Sequence, residues 1–173
     1  LIKNTFNRIT KIELSNFSEE LFEEVILTYS YPPNKNLSQQ EFLKLKINWL
    51  INKSKIDSIE NFLNTNLEFS GRSRLIKYLV DHYIATAEIS KSCENANFIN
   101  KEIKDNYLDK FRIYCLTLNK KTDQAQLNFD LLREEKRSDK FSDNKILFLL
   151  GINTKPENKI SDENLLYFYL SSI

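Results

Sequence analysis

The side chains best suited to chemistry in this chain are one histidine, His82, and two cysteines, Cys93 and Cys115. A histidine acts as a general base when a nucleophile lies within about 3 Å. On one continuous helix His82 and Cys93 would be about 16 Å apart along the axis, because each residue rises 1.5 Å. They therefore cannot form a local catalytic dyad, and we interpret His82 as a surface histidine.

The two cysteines have three alternative interpretations. A metal site is not predicted, because the chain has no CxxC pair and no cluster of ligands. Buried, apolar, reduced cysteines are the common case inside cells. In an oxidising compartment, however, Cys93 and Cys115 would form a disulfide that closes a loop of about 22 residues and stabilises by about 3 kcal/mol. That bridge requires their Cα atoms to come within about 7 Å.

A second candidate site is the segment Ser70, Gly71, Arg72, Ser73 and Arg74, which precedes a strongly amphipathic pattern. Free N–H groups and the dipole at a helix start attract anions, and arginines bind phosphate or carboxylate. The segment therefore predicts an anion hook. The alternative is an ordinary turn with solvated arginines, which is favoured because the glycine patterns of nucleotide-binding loops are missing. We expect no catalytic residue, cofactor or metal.

The composition favours an all-α protein. The 173 residues include 12 Phe and 8 Tyr but only two Gly and three Pro, so breakers of helices are scarce. A net charge of +1 gives no field that would attract nucleic acid or an anionic membrane. No apolar run approaches the ~20 residues of a transmembrane helix. We expect one domain, 1–173, within a longer chain, because the sequence starts at Leu1 and lacks Met.

Apolar residues recur at helical spacing in several segments. The helix expected from the Ser38 capping box runs to about Asn52, and the helix expected from Arg74 runs to about Glu88. The other expected helices begin at Ser18, Asp57, Lys101, Thr122, Ser142 and Ser161. Short connections favour antiparallel neighbours. The chain is predicted to form stacked helix hairpins in an irregular α-solenoid, with a compact multi-helix bundle as the alternative.

The clearest pattern is a helix pair between Lys101 and Lys136. The first helix has apolar residues at Ile103, Tyr107, Phe111, Tyr114 and Leu118, and the second has them at Ala125, Leu127, Phe129, Leu131 and Leu132. These stripes predict an αα-hairpin.

Part of this hairpin carries a resemblance. Phe111 to Leu116, Ala125, Leu131 to Glu135, and Asp139 with Phe141 resemble uncharacterised alphaproteobacterial helical-repeat proteins of tetratricopeptide-like type. The resemblance implies stacked helix pairs, and it keeps export to the periplasm in consideration. It implies no activity.

The expected function is a non-catalytic protein–protein interaction or scaffold module that presents a helical surface to a protein partner. The alternative is a small anionic ligand-binding or enzymatic domain that uses the Ser70–Arg74 helix start. A bacterial periplasmic location is favoured over the cytoplasm only if the cysteines are bridged.

The last segment, Leu165 to Ile173, is apolar around most of its circumference, so we expect it to pack on the Ile146 to Leu150 helix or on another chain.

Overall fold

A computed structural model describes residues 1–28, 35–99, 103–155 and 157–173, and all regular structure in these ranges is helical. This confirms the all-α class. The α-helices are α1 Ile2–Ile9, α2 Asn16–Leu27, α3 Gln39–Asn52, α4 Ile56–Thr65, α5 Arg72–Ala85, α6 Ile89–Asn95, α7 Asn106–Leu118, α8 Thr122–Glu134, α9 Lys140–Leu149 and α10 Leu165–Leu170, and a short 3₁₀ turn follows α6 at Ala96–Phe98. No helix of the described ranges is both long and apolar enough to cross a membrane.

The chain divides into two compact units, Leu1–Leu75 and Ile76–Ile173, with the boundary inside α5. We call them unit 1 and unit 2 and describe each by itself. The single domain, and the choice between solenoid and bundle, stay predictions.

Aromatic packing forms the core of unit 1. The ring of Phe22 on α2 contacts Phe6 on α1 and Trp49 on α3, each with 5.4 Å between ring centroids and an edge-on orientation. Edge-on pairs contribute beyond the area that they bury. Trp49 is completely buried, and Ile59 and Leu63 of α4 are also buried. This core fixes α3 and α4, which line the candidate site below.

The predicted start of α3 is confirmed. The Ser38 hydroxyl accepts from the Glu41 N–H, and the Glu41 carboxylate accepts from the Ser38 N–H, which is the reciprocal pattern of a capping box. The helix ends at Asn52 as expected.

Other predicted helix starts are wrong by a few residues. The cap of α2 is Ser15, whose hydroxyl accepts from the Ser18 N–H, and α4 follows Lys55 without a side-chain cap bond. In unit 2, Asp139 and Asn164 cap α9 and α10. Sequence spacing alone did not separate these caps from nearby polar residues, because Ser, Asp and Asn serve equally well.

The hairpin of α7 and α8 is present in unit 2, but α7 begins only at Asn106, after its Asp105 cap, so Ile103 precedes the helix and does not belong to its apolar stripe; the predicted residues 101–102 lie outside the described ranges. Ile113 of α7 packs with Ala125, Phe129 and Leu132 of α8 and with Ile146 of α9. The expected inner face was too wide: Leu127 and Leu131 are exposed. The buried residues of α8 lie on one narrow face of the helix, and Leu127 and Leu131 lie outside that face.

The C-terminal helix α10 is only partly buried. Leu166 is completely buried, whereas Phe168 is 60% exposed. The Tyr167 ring contacts Phe141, in the first turn of α9, at 5.0 Å between centroids, and the Tyr169 hydroxyl lies 3.2 Å from the Tyr114 hydroxyl of α7. The helix therefore contacts the start of α9 through Tyr167 and α7 through Tyr169, and Phe168 lies on its exposed side.

Candidate functional site

A solvent-open cleft of about 580 Å³ lies in unit 1 between α3 and α4, beside the end of α2. Its described lining consists of Leu27, Thr28, Gln39, Phe42, Leu43, Lys46, Ser58, Asn61, Phe62, Thr65 and Asn66. On α3 the lining positions follow the spacing i, i+3, i+4, i+7, and so do Ser58, Asn61, Phe62 and Thr65 on α4. This spacing puts each set on one helical face. On α3 the buried Trp49 and Leu50 continue the same face towards the end of the helix, whereas on α4 the buried Ile59 and Leu63 lie to one side of the lining face.

Lys46 is the one charged residue among the described lining residues of the cleft. Its side chain is half-buried, and Nζ lies 4.7 Å from the centroid of the Phe42 ring. Burial lowers the pKa of Lys46, because the ammonium has lost water. Within the described ranges, no carboxylate forms an ion pair with it.

Most of the hydroxyl and amide groups in the lining already have partners in the chain. Thr28 and Thr65 donate to backbone carbonyls one turn earlier, and Asn66 donates to the Phe62 carbonyl. Ser58 donates to the Glu23 carboxylate, which also pairs with Lys55 at 3.2 Å. The Gln39 and Asn61 amides, both exposed, make no such bonds to the described residues, so they can act on a molecule in the cleft.

The two arginines of the predicted anion hook form hydrogen bonds within the chain. Arg72 is buried and donates to the carbonyls of Leu63, at 3.0 Å, and Asn66, so its guanidinium satisfies the end of α4. Arg74 donates to the Asn48 side chain at 2.7 Å. Arg72 is therefore not the solvated arginine that the alternative of an ordinary turn expected.

The other two hook residues form the turn itself. Gly71 has φ +97°, and a Cβ there would lie 3.2 Å from Ile47 Cδ1, so the turn requires glycine. Ser70 is exposed. The anion hook at Ser70, Gly71, Arg72 and Arg74 stays a prediction.

Cys93 on α6 and Cys115 on α7 are joined by a disulfide, with their Cα atoms 5.3 Å apart. This is within the 7 Å limit set by disulfide geometry. Cys115 is buried, whereas Cys93 is half-buried. The bridge ties α6, a helix that no sequence pattern predicted, to the hairpin.

His82 is half-buried on α5, and its ring makes an edge contact with Tyr83 at 5.3 Å between centroids. Its neighbour Asp81 is more informative, because it accepts a hydrogen bond from the Tyr107 hydroxyl. Burial raises the pKa of Asp81, and the bond from Tyr107 and the charge of Lys77 partly offset this. No sequence pattern predicts this pairing, because Asp81 and Tyr107 lie on separate helices.

Unit 2 also contains a buried polar cluster that sequence reasoning missed. The Lys110 ammonium donates to Asp139 Oδ2 and, at 2.7 Å, to the Tyr167 hydroxyl, which itself donates to Asp139. Burial acts to raise the pKa of Asp139, but hydrogen bonds from Lys110, Ser142 and Tyr167 lower it to about 2. We call Lys110, Asp139 and Tyr167 the lysine triad. Each side chain of the lysine triad forms hydrogen bonds to the other two, so the triad has a structural role.

A separate surface feature of unit 1 is an apolar stripe on α2, formed by Phe17, Leu21 and Val25. Their side chains are 74%, 51% and 60% exposed. The spacing i, i+4, i+8 places them along one face. Glu20 and Glu24, also exposed, lie along one edge of this α2 stripe.

Comparison with known protein families, with curated proteins and with solved structures finds no match to this chain. In the described ranges, no group of three or more His, Cys, Asp or Glu side chains is placed to hold a metal ion.

Proposed function

We propose that this protein is a non-catalytic interaction module that binds another protein through the α2 stripe. The observation that supports this is the alignment of Phe17, Leu21 and Val25, each more than half exposed, on one helical face. Single exposed apolar residues are common, but an aligned set forms a patch suited to binding. Helices that insert into an apolar groove use anchors at this spacing.

The charge beside the α2 stripe defines the partner further. Glu20 and Glu24 lie along one edge, and neither forms an ion pair with a described residue. Charges at the rim of an interface set specificity and the rate of association. The partner is therefore a protein with an apolar groove that carries lysine or arginine along one side.

Site-specific photo-crosslinking tests this proposal. A photoreactive amino acid replaces Leu21 in one sample and Leu127 in a matched control, because Leu127 is also an exposed leucine and lies on another helix. The partner crosslinked from Leu21 is identified by mass spectrometry and purified. The full-length protein and the variants Phe17→Ser and Leu127→Ser are then titrated against it.

Phe17→Ser should weaken binding by roughly tenfold or more, as is typical for an aromatic anchor, while thermal stability and the affinity of Leu127→Ser stay unchanged. Glu20→Gln with Glu24→Gln should mainly slow association at low salt. Equal crosslinking from both positions, or a crosslink only to a second copy of this chain, would contradict the proposal.

A further inference from the structure

We propose that the cleft between α3 and α4 binds a small amphipathic anion, with its carboxylate on Lys46 and its apolar body on Phe42 and Phe62. This does not rest on the interaction function proposed for the α2 stripe. It is also distinct from the anion hook at the start of α5, where the arginines have partners within the chain.

The size and lining of the cleft indicate a small molecule. Ligand pockets usually have volumes of about 300 to 1,000 Å³ and combine apolar walls with a few polar groups. This cleft has about 580 Å³, with apolar walls from Leu27, Phe42, Leu43 and Phe62. A wholly polar ligand would leave these walls unused. A hydrocarbon chain or aromatic ring of modest size would cover them.

The charge of the cleft indicates an anion. Lys46 supplies the positive charge, and the described lining contains no carboxylate that would oppose it. The nearest acid linked to the lining, Glu23, is hydrogen-bonded to Ser58 and paired with Lys55. A cation held over an aromatic ring and partly removed from water gains more from an anionic partner than a fully solvated one does.

The remaining polar groups fit a carboxylate head. The Gln39 amide, one position after the Ser38 cap, lies two turns before Lys46 on the same face, and the Asn61 amide faces the cleft from α4. Amide N–H groups donate to carboxylate oxygens. One anionic head can therefore contact Lys46 and an amide, which favours a monoanion over a diphosphate that would need several cations.

Titration with octanoate tests the inference, with 1-octanol and acetate as matched probes that lack the charge or the chain. The full chain is followed by backbone NMR and calorimetry. Octanoate should bind and shift the amide signals of Phe42, Lys46 and Phe62. Octanol should bind roughly tenfold or more weakly, because it lacks the charge-assisted hydrogen bond, and acetate should not bind measurably.

The decisive variant is Lys46→Gln, with Lys44→Gln as its control, because Lys44 is an exposed lysine on the same helix that does not line the cleft. Lys46→Gln should reduce octanoate affinity to that of octanol, with thermal stability and partner crosslinking from Leu21 unchanged. Lys44→Gln should bind octanoate normally. Equal affinities for octanoate and octanol, full binding by Lys46→Gln, or signal shifts confined to other residues would overturn the inference.

Discussion

Two of the chain's lysines, Lys46 in unit 1 and Lys110 in unit 2, are removed from water in opposite ways. Burial lowers the pKa of Lys46, and no described carboxylate pairs with it. Burial also acts to lower the pKa of Lys110, but hydrogen bonds to Asp139 and Tyr167 outweigh it and raise the pKa. Partial burial of a lysine therefore has no single meaning. Whether the chain itself supplies hydrogen-bond partners for the buried ammonium decides between a structural and a binding role.

The same contrast applies to the surroundings of the two lysines. Lys46 faces a cleft with exposed amides, whereas the lysine triad is closed by helix α10 through Tyr167 and by the cap of α9 through Asp139. A cross-link, Cys93 to Cys115, further constrains unit 2. We infer that polar groups in unit 2 hold the fold together, while those of the unit 1 cleft are available to a ligand.

The sharpest test of the comparison is to replace each lysine by methionine, which keeps the length and removes the charge. Lys110→Met should destabilise the protein by about 3 kcal/mol, because it leaves Asp139 and Tyr167 without their cation. This is the lower end of the range for buried pairs, since the Asp139 side chain remains 39% exposed. Lys46→Met should cost little or stabilise slightly. Both are measured by urea unfolding.

An exposed lysine, Lys159, provides the control for the charge change itself, and Lys159→Met should leave the unfolding free energy unchanged within error. If Lys46→Met is as destabilising as Lys110→Met, the cleft lysine is also structural, and the contrast between the two fails.

Loss of the disulfide should have an effect of similar size. Reduction of Cys93–Cys115 should destabilise unit 2 by about 3 kcal/mol, because the open chain regains the entropy of a loop of about 22 residues. Thermal unfolding with and without reductant, combined with hydrogen exchange of the amides in 76–173, measures this. The matched variant Cys93→Ala with Cys115→Ala should behave as the reduced protein and no longer respond to reductant.

Intact mass of the protein isolated from its native compartment decides whether the bridge forms there. The bridged chain weighs two hydrogens less than the reduced chain. Two free thiols in that material would remove the disulfide from the native protein and, with it, the main support for a periplasmic location.

The sequence was most informative where one signal had one physical meaning. The Ser38 capping box predicted the start of α3, because the hydroxyl and the Glu41 carboxylate have reciprocal partners at that spacing. Gly151 directly follows the apolar residues of α9 with φ +74°, and a glycine at that place is the usual signal of a helix end. Both signals are local, so tertiary contacts did not need to be known.

The sequence was least informative for polar residues whose partners are distant along the chain. Lys110 and Tyr167 are 57 residues apart, and Asp81 and Tyr107 are 26 apart. Spacing within one helix carries no information about such pairs, so a buried lysine cannot be distinguished from a solvated one. The cleft was missed for the same reason, because its two walls belong to separate helices, and each helix was read only for its apolar face.

The smallest predicted effect is a pH dependence that comes from Asp139. Its folded pKa, about 2, is below the ordinary value of 3.8, so its ionised form stabilises the fold above pH 3.8, and that stability is lost as the pH falls towards 2. After discounting for partial exposure, the loss is roughly 1 to 2 kcal/mol. Asp81 contributes a pH dependence of the opposite sign, because its raised pKa makes protonation favour the folded state.

The difference in unfolding free energy between the protein and Asp139→Asn isolates the Asp139 contribution, since asparagine caps α9 as well as aspartate does. That difference should shrink between pH 5 and pH 2, whereas a difference that is constant across this range would show that Asp139 is not held ionised by Lys110.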